Sequence, residues 1–212
     1  MTHATPRQRR RAANLERILD TAMRMVVDVG FDGLSVNKLA KEVDYTPGAL
    51  YRYFSSKDAL MIALVARAIR DFHQEVSGNL ASDLDPIQRI RAFALAFKDV
   101  ALARPNRFGM VAMMMAHPRI LVEDRVEAEP AMDALTEALQ PLALAFAEAQ
   151  AKGLIDEGDP ILRALTMFSG IQGVLQLRKQ ARFSPGLLDL DRMSTEMVHT
   201  LLRGWGAKGD FS

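Results

Sequence analysis

Between Gly30 and Ser56 four helix-boundary signals stand so close together that the chain there has room only for short helices. Gly30 is the residue type that accepts the left-handed conformation ending a helix. It follows an i, i+3, i+4 apolar series of Leu15, Ile18, Leu19, Ala22, Val26 and Val29, which predicts a first helix over 12–29. Ser35 is an N-cap residue type ahead of Val36, Leu39, Ala40 and Val43. Asp44-Tyr45 reads as a turn. Thr46-Pro47 then joins an N-cap to a proline at the first helical position, where no backbone N–H is lost. The third helix is predicted from Pro47 to Phe54. Ser56, with Asp58 two residues on, caps a long fourth helix whose apolar stripe is Met61, Leu64, Val65, Ala68, Phe72 and Val76.

The remainder repeats the helical period. Asp85-Pro86 and Asp159-Pro160 each open a helix. The first carries Ile90, Phe93, Ala94, Phe97 and Val100; the second carries Leu162, Leu165, Thr166, Phe168 and Ile171. Between them the pattern predicts a Met-rich short helix near 107–116 and a long Ala/Leu-rich helix near 130–152, closed by Gly153. A last helix is predicted over about 188–203, ending at Gly204. No alternating strand pattern and no internal repeat occurs. The expected fold class is all-α, with about nine helices.

Composition narrows the function classes. Hydrophobic residues make up 49% and charged residues 25%, so most of the chain has the material for a packed core. The absence of cysteine excludes disulfides, thiolate metal sites and a cysteine nucleophile. The longest charge-free run of the C-terminal half, between Arg163 and Arg178, is too short to span a bilayer. The polar, basic start does not read as a secretory signal, so a soluble cytoplasmic protein is expected. His3, His73, His117 and His199 show no paired spacing, and neither metal nor cofactor is expected. Gly204-Trp-Gly206-Ala-Lys-Gly209 fits a dinucleotide-binding glycine pattern literally, but it follows a helix and not a strand. No hydrolase, zinc-protease or P-loop motif occurs, so the chain is read as no enzyme.

Charge is unevenly placed. Residues 1–60 hold ten basic and seven acidic side chains, net +3, while 61–212 sum to −2. Arg7, Arg9, Arg10 and Arg11 lead the chain and are read as a basic flexible arm over 1–11, on which a polyanion partner or mere solvation are both open. Three short helices with a tight turn before the third form a helix-turn-helix unit over 12–60. Leu39, Val43, Leu50 and Phe54 can seal its inside. Thr46, Pro47 and Gly48 keep the start of the third helix narrow, Tyr51, Arg52 and Tyr53 add hydroxyls and a guanidinium, and Lys57 is placed for a flanking phosphate.

The run from Val43 to Leu60, with Gly30 to Ala40 upstream, resembles the signature of TetR-type transcriptional regulators. The resemblance implies that Ser35, Thr46, Gly48, Tyr51, Tyr53 and Lys57 meet the DNA backbone, and that Pro47 and Arg52 read bases or neighbouring phosphates. Arg52 has two readings: bidentate to guanine, or paired internally with Glu42 or Asp44. Asp44 and Tyr45 depart from the family's glycine and aliphatic residue; Tyr45 either fills core or touches the groove. The resemblance further implies a homodimer on a near-palindromic operator, released by a small-molecule inducer of unknown identity. Residues 61–212 would form the ligand-binding and dimerisation domain. Candidate ligand contacts are Phe93, Phe97, Met110, Met113, Met114, His117, Phe146, Met167, Phe168 and Gln172, with plain core as the competing reading. Candidate dimer contacts are Gly170, Gly173, Met193 and Met197, with a crossing inside one chain as the alternative for the glycines. The rival to regulation is a helical interaction module without regulated DNA binding.

Overall fold

The computed structural model describes residues 5–78, 83–104, 108–109, 112, 125–184 and 186–209. Among them it has nine α-helices and no strand: α1 (Pro6–Gly33), α2 (Val36–Glu42), α3 (Pro47–Leu50), α4 (Lys57–Gly78), α5 (Pro86–Ala103), α6 (Arg125–Ala151), α7 (Pro160–Gln176), α8 (Arg178–Ala181) and α9 (Leu190–Gly204). Two compact units result. One comprises Met1–Ile69 with Gly109–Ala134, the other Arg70–Phe108 with Leu135–Ser212. The division falls inside α4, which gives residues to both.

α1 begins at Pro6, not near residue 12, so most of the expected flexible arm is helix. A reciprocal capping box explains the extension. The Gln8 amide donates to Thr5 Oγ1 (3.3 Å), and the Thr5 amide donates to Gln8 Oε1 (2.7 Å). Pro6 occupies the first helical position, where it costs no hydrogen bond. Gly30, at φ 74 and ψ 174, breaks the helix where the sequence predicts. Val29, expected in the core, is exposed.

The core of the first unit joins Ile18, Leu19, Ala22 and Val26 of α1 to Leu39 and Val43, then to Leu50 and Phe54, and to Leu60, Leu64 and Val65 of α4. Arg67 of α4 pairs with Glu16 and with Asp20 (2.9 Å) across to α1.

α2 ends in a Schellman turn. The Tyr45 amide donates to the Ala40 carbonyl (2.8 Å) and the Asp44 amide to the Lys41 carbonyl (3.2 Å). Asp44, at φ 59, occupies the left-handed position. α3 is shorter than expected: regular helix stops at Leu50, and Tyr51 to Tyr53 continue as turns. The last hydrogen bonds tighten there, with the Tyr53 amide donating to the Leu50 carbonyl at 2.8 Å.

In the second unit α5, α7 and α9 pack together. Asp85 and Gln88 form a capping box at the start of α5, and Asp159 caps α7. Phe97 is the centre of an aromatic cluster, 4.7 Å from Phe72 and 5.4 Å from Phe168 between ring centroids. α6 starts five residues before the expected Pro130, which lies in its second turn; proline's fixed φ suits a helix, and the position gives up one donor. Gly153, at φ 64, closes that helix as predicted, the Leu154 amide donating to the Ala149 carbonyl (2.9 Å). α8 was not foreseen in the sequence.

The buried face of α7 is a correction. Leu162, Leu165 and Thr166, expected inside, are exposed, while Ala164, Met167, Phe168, Ile171, Val174 and Leu175 are buried. This helix is apolar on both sides, so period alone does not choose its rotation. Arg163 chooses it. Its guanidinium is buried, donates to the carbonyls of Asp156 (2.7 Å) and Glu157 (3.1 Å), and lies 5.6 Å from the Trp205 ring.

Two stability predictions follow from local geometry. Asp44→Gly relieves the left-handed strain and raises stability by about 0.5–1 kcal/mol, whereas Asp44→Val lowers it by about 1 kcal/mol or more; urea midpoints read both. His73, beside Phe93 and Ser77, has its pKa lowered by burial, an effect that Glu137 opposes. The unfolded chain therefore takes up this proton first, and folding loses stability as pH falls below the ordinary histidine range. The urea midpoint of wild type, relative to His73→Gln, drops between pH 7 and pH 5; an unchanged difference contradicts it.

Candidate nucleic-acid interface

The α2–turn–α3 segment has a sealed side and an open side. Leu39, Val43, Leu50 and Phe54 are buried, as expected. On the open side Thr46, Pro47, Gly48, Tyr51 and Arg52 are exposed, and Ser35 and Lys57 are half-buried. The two capping hydroxyls are each half used. Ser35 Oγ accepts from the Lys38 amide (3.4 Å) and Thr46 Oγ1 from the Ala49 amide (3.2 Å), and each keeps its own O–H to donate. A Cβ added at Gly48 would meet nothing of this chain within 4 Å, so the backbone there lies open to an approaching partner.

Arg52 is exposed, and among the described residues it forms no ion pair with Glu42 or Asp44. Lys57 opens α4 beside Ser56, whose Oγ accepts from the Ala59 amide (3.0 Å). Lys38 and Lys41 of α2 are exposed as well. The segment thus offers exposed cations and hydroxyl donors, with Glu42 and Asp44 as its exposed carboxylates; no three metal-ligating side chains gather among the described residues.

The two tyrosines expected to act alike do not sit alike. Tyr51 is 50% exposed. Tyr53 is half-buried and stacks on Tyr45, with centroids 6.2 Å apart and planes 26° apart. Tyr45 packs against the core, the first of the two roles left open for it. Both rings are flanked by arginines of α1: Arg11 lies 5.7 Å from the Tyr53 centroid and Arg17 lies 5.6 Å from the Tyr45 centroid. Arg17 also donates to the Val43 carbonyl (2.9 Å), Arg11 reaches the Arg52 carbonyl (3.5 Å), and Asn14 Nδ2 stands 3.5 Å from the Tyr53 hydroxyl. The sequence singles out Arg11 only as part of the basic arm, and Asn14 and Arg17 are not among the candidates. The signal was present in the spacing of Arg7, Arg10, Arg11, Asn14 and Arg17, which share one helix face once α1 is extended to Pro6.

The remaining candidates fall into three groups. Met110, Met113, Met114 and His117 lie outside the described residues. Phe93, Phe97, Phe146, Met167, Phe168 and Gln172 are all buried. Phe97 and Phe168 meet in the aromatic cluster, whereas Phe146 packs edge-on against Trp205 at 5.2 Å. A groove of about 530 Å³ lies along α9 instead, lined by Val174, Leu187, Met193, Met197 and Leu201 among others, and by none of those six. Gly170 permits a close approach inside one chain: a Cβ there would stand 2.7 Å from the Met197 sulfur. Gly173 is exposed, with open space beside it. The glycine pattern at Gly204–Gly209 is a helix end. Gly206 takes φ 86, and the Ala207 amide donates to the Leu202 carbonyl (3.0 Å).

Comparison with known proteins agrees with this geometry. The family described as "Bacterial regulatory proteins, tetR family" matches residues 18–64, and "Tetracyclin repressor-like, C-terminal domain" matches residues 90–201. The HTH-type transcriptional repressor NemR of Escherichia coli (strain K12) is 31% identical over 67 residues, 32% of this chain and 34% of that protein. The chain spans less than half the length of the curated relatives it matches. Among solved structures, FadR of Bacillus subtilis in complex with stearoyl-CoA has a TM-score of 0.64 at 18% identity, covering 89% of this chain and 98% of that one. AibR in complex with isovaleryl coenzyme A and operator DNA has a TM-score of 0.58 at 19% identity, with coverage of 89% and 98%. These likenesses establish the fold, and no helix among the described residues is long and apolar enough to cross a membrane. With its two matched segments covering both the helix-turn-helix and most of the C-terminal helices, the chain belongs to the tetR family of bacterial regulatory proteins.

Proposed function

We propose that the chain is a DNA-binding transcriptional regulator, acting as a repressor, that binds a near-palindromic operator as a homodimer and is released by a small, mostly apolar ligand. The observation that carries the reading is the open side of the helix-turn-helix. Thr46, Tyr51 and Arg52 are exposed on this segment, Ser35 and Lys57 are half-buried, and the Gly48 backbone is uncovered, so the segment supplies hydroxyl donors and cations. Duplex DNA presents phosphate acceptors at that scale, and its major groove admits a helix. Arg52 is the residue with the reach and geometry to read guanine; Lys57 is a backbone anchor. Tyr53, held by its stack, serves chiefly to fix the end of α3. The name of NemR and the operator-bound state of AibR support DNA as the partner and repression as the mode.

Residues 12–60 are the DNA-binding head in this reading, and 61–212 carry ligand and dimer contacts. The exposed apolar face of α7, with Leu162 at 61% and Leu165 at 38%, stands with Gly173 and the Met193–Met197 groove as the surface for a second copy. A twofold dimer places its recognition helices about 34–36 Å apart, one turn of duplex. The ligand site is assigned to the apolar interior around Phe97 and Phe168. Two neighbours of the same fold are seen with acyl-coenzyme A compounds, which supports a ligand with an apolar chain. α4 supplies Leu60, Leu64 and Val65 to one core and Phe72 and Val76 to the other unit, so a ligand beside Phe72 acts on the head through one helix. A preference of about 3 kcal/mol for the released state weakens operator binding more than a hundredfold.

Operator binding to duplex DNA from upstream of its own gene tests the reading. Lys57→Ala weakens binding to all sequences alike and lowers the salt slope by about 1, while Arg52→Ala also relaxes sequence preference, by about 1–3 kcal/mol at its base pair. Binding unaffected by either change removes the site assignment. Titration with short- and long-chain acyl-coenzyme A compounds lowers operator affinity; unchanged affinity at saturation with the whole panel removes this ligand class.

A further inference from the structure

The N-terminal turns of α1 carry more charge than the fold requires. Arg7, Arg10, Arg11, Asn14 and Arg17 fall within about 120° of one helix face, at i, i+3, i+4, i+7 and i+10. The acidic residues of α1's first half, Glu16 and Asp20, lie on the opposite face and are paired with Arg67. Arg9 also lies on that opposite side by the same count. Over residues 7–17 the basic face therefore contains no carboxylate; Asp28, about three turns further along α1, is the first acidic residue on that side.

That face is fixed against the helix-turn-helix at two points. Arg17 holds the Val43 carbonyl and the Tyr45 ring at the turn, and Arg11 holds the Tyr53 ring and reaches the Arg52 carbonyl at the end of α3. The order Arg17, Tyr45, Tyr53, Arg11 makes a continuous stack of alternating contacts along α1. Beyond it, toward the N-terminus, Arg7 and Arg10 are exposed, and among the described residues neither has an ion pair. The capping box at Thr5 makes this segment helix, so these guanidinium groups stand on a rigid rod and not on a loose arm. Arg7 lies about 6 Å along the axis from Arg11, one helical turn away.

We propose that Arg7 and Arg10 form a phosphate-binding stripe that extends the DNA-binding face beyond the recognition helix, seated by the Arg11–Tyr53 and Arg17–Tyr45 contacts. The inference rests on the reading of the chain as a DNA-binding regulator. Its partner is the sugar–phosphate backbone of duplex DNA flanking the bases reached by α3. Two guanidinium groups one turn apart neutralise phosphates without reading bases, so they supply affinity and salt dependence and leave sequence preference to α3.

The test uses the full chain and two duplexes about three helical turns long, one from upstream of its own gene and one of mixed sequence. Binding is measured by fluorescence anisotropy over a range of salt. Arg7→Gln with Arg10→Gln keeps good helix formers at both positions, and circular dichroism checks that helicity and melting are unchanged. The expected result is a salt slope reduced by about 2 per bound protomer and affinity lowered about tenfold or more on both duplexes, with their ratio preserved. Arg9→Gln, on the other face, leaves slope and affinity at wild-type values. A wild-type slope in the double variant overturns the stripe while leaving the recognition helix as the DNA-binding element. An equal loss in Arg9→Gln also overturns it, because diffuse charge then suffices. Wild type that binds neither duplex overturns the regulatory reading itself, and the stripe with it.

Discussion

The left-handed turn at Asp44 sets the geometry on which the head depends. The Tyr45 amide closes onto the Ala40 carbonyl, so α2 stops within one residue and the chain reverses before Thr46. That reversal brings Leu50 and Phe54 onto the same core as Leu39 and Val43. With one side of α3 committed inward, Thr46, Gly48, Tyr51 and Arg52 have only the outside left to them. The exposed face is thus a consequence of how the apolar face is buried, and the choice of an aspartate at a position suited to glycine is tolerated because its short polar side chain is among the few that adopt this conformation.

α1 serves the head on three sides at once. Its apolar stripe fills the core, its acidic side meets Arg67 of α4, and its basic side braces the tyrosine pair. Cation–aromatic contacts gain when they are partly withdrawn from water, and both tyrosines are half-buried. The arginines also occupy carbonyls near the ends of short helices, where helical partners run out. Four residues of regular helix in α3 carry little stability by themselves. Their position comes from the core beneath and the braces beside them.

Much of this was legible in the sequence because its signals were local. Thr46-Pro47, Asp85-Pro86 and Asp159-Pro160 each mark a helix start through a side chain that accepts from first-turn amides and a proline, and each start is where they place it. The start of α1 is written in the same code, as Thr5-Pro6 with Gln8, but the polar arginine run that follows carries no apolar period to mark it as helix. The rotation of α7 was not legible. Apolar residues line both its sides, and the residue that decides between them is a charged one whose partners are backbone carbonyls contributed by a preceding loop. The Arg–Tyr stack was likewise hidden, since each arginine lies more than 25 positions from its tyrosine and the pairs meet only after the helices have packed.

The segment joining α6 to α7 is held at nearly every residue. Gly153 closes the preceding helix, the Asp156 amide donates to the Trp205 carbonyl (2.8 Å), Arg163 takes the carbonyls of Asp156 and Glu157, and Gln150 donates to that of Gly158 (2.6 Å). A Cβ on Gly206 would stand 2.5 Å from the Asp156 carboxyl, so the helix end behind it is equally close. Such a connection is a spacer of fixed length. Residue types within it are free to drift wherever only main-chain atoms are engaged, but an insertion or deletion shifts every later partner out of register, and relatives that share the latch are constrained to share its residue count.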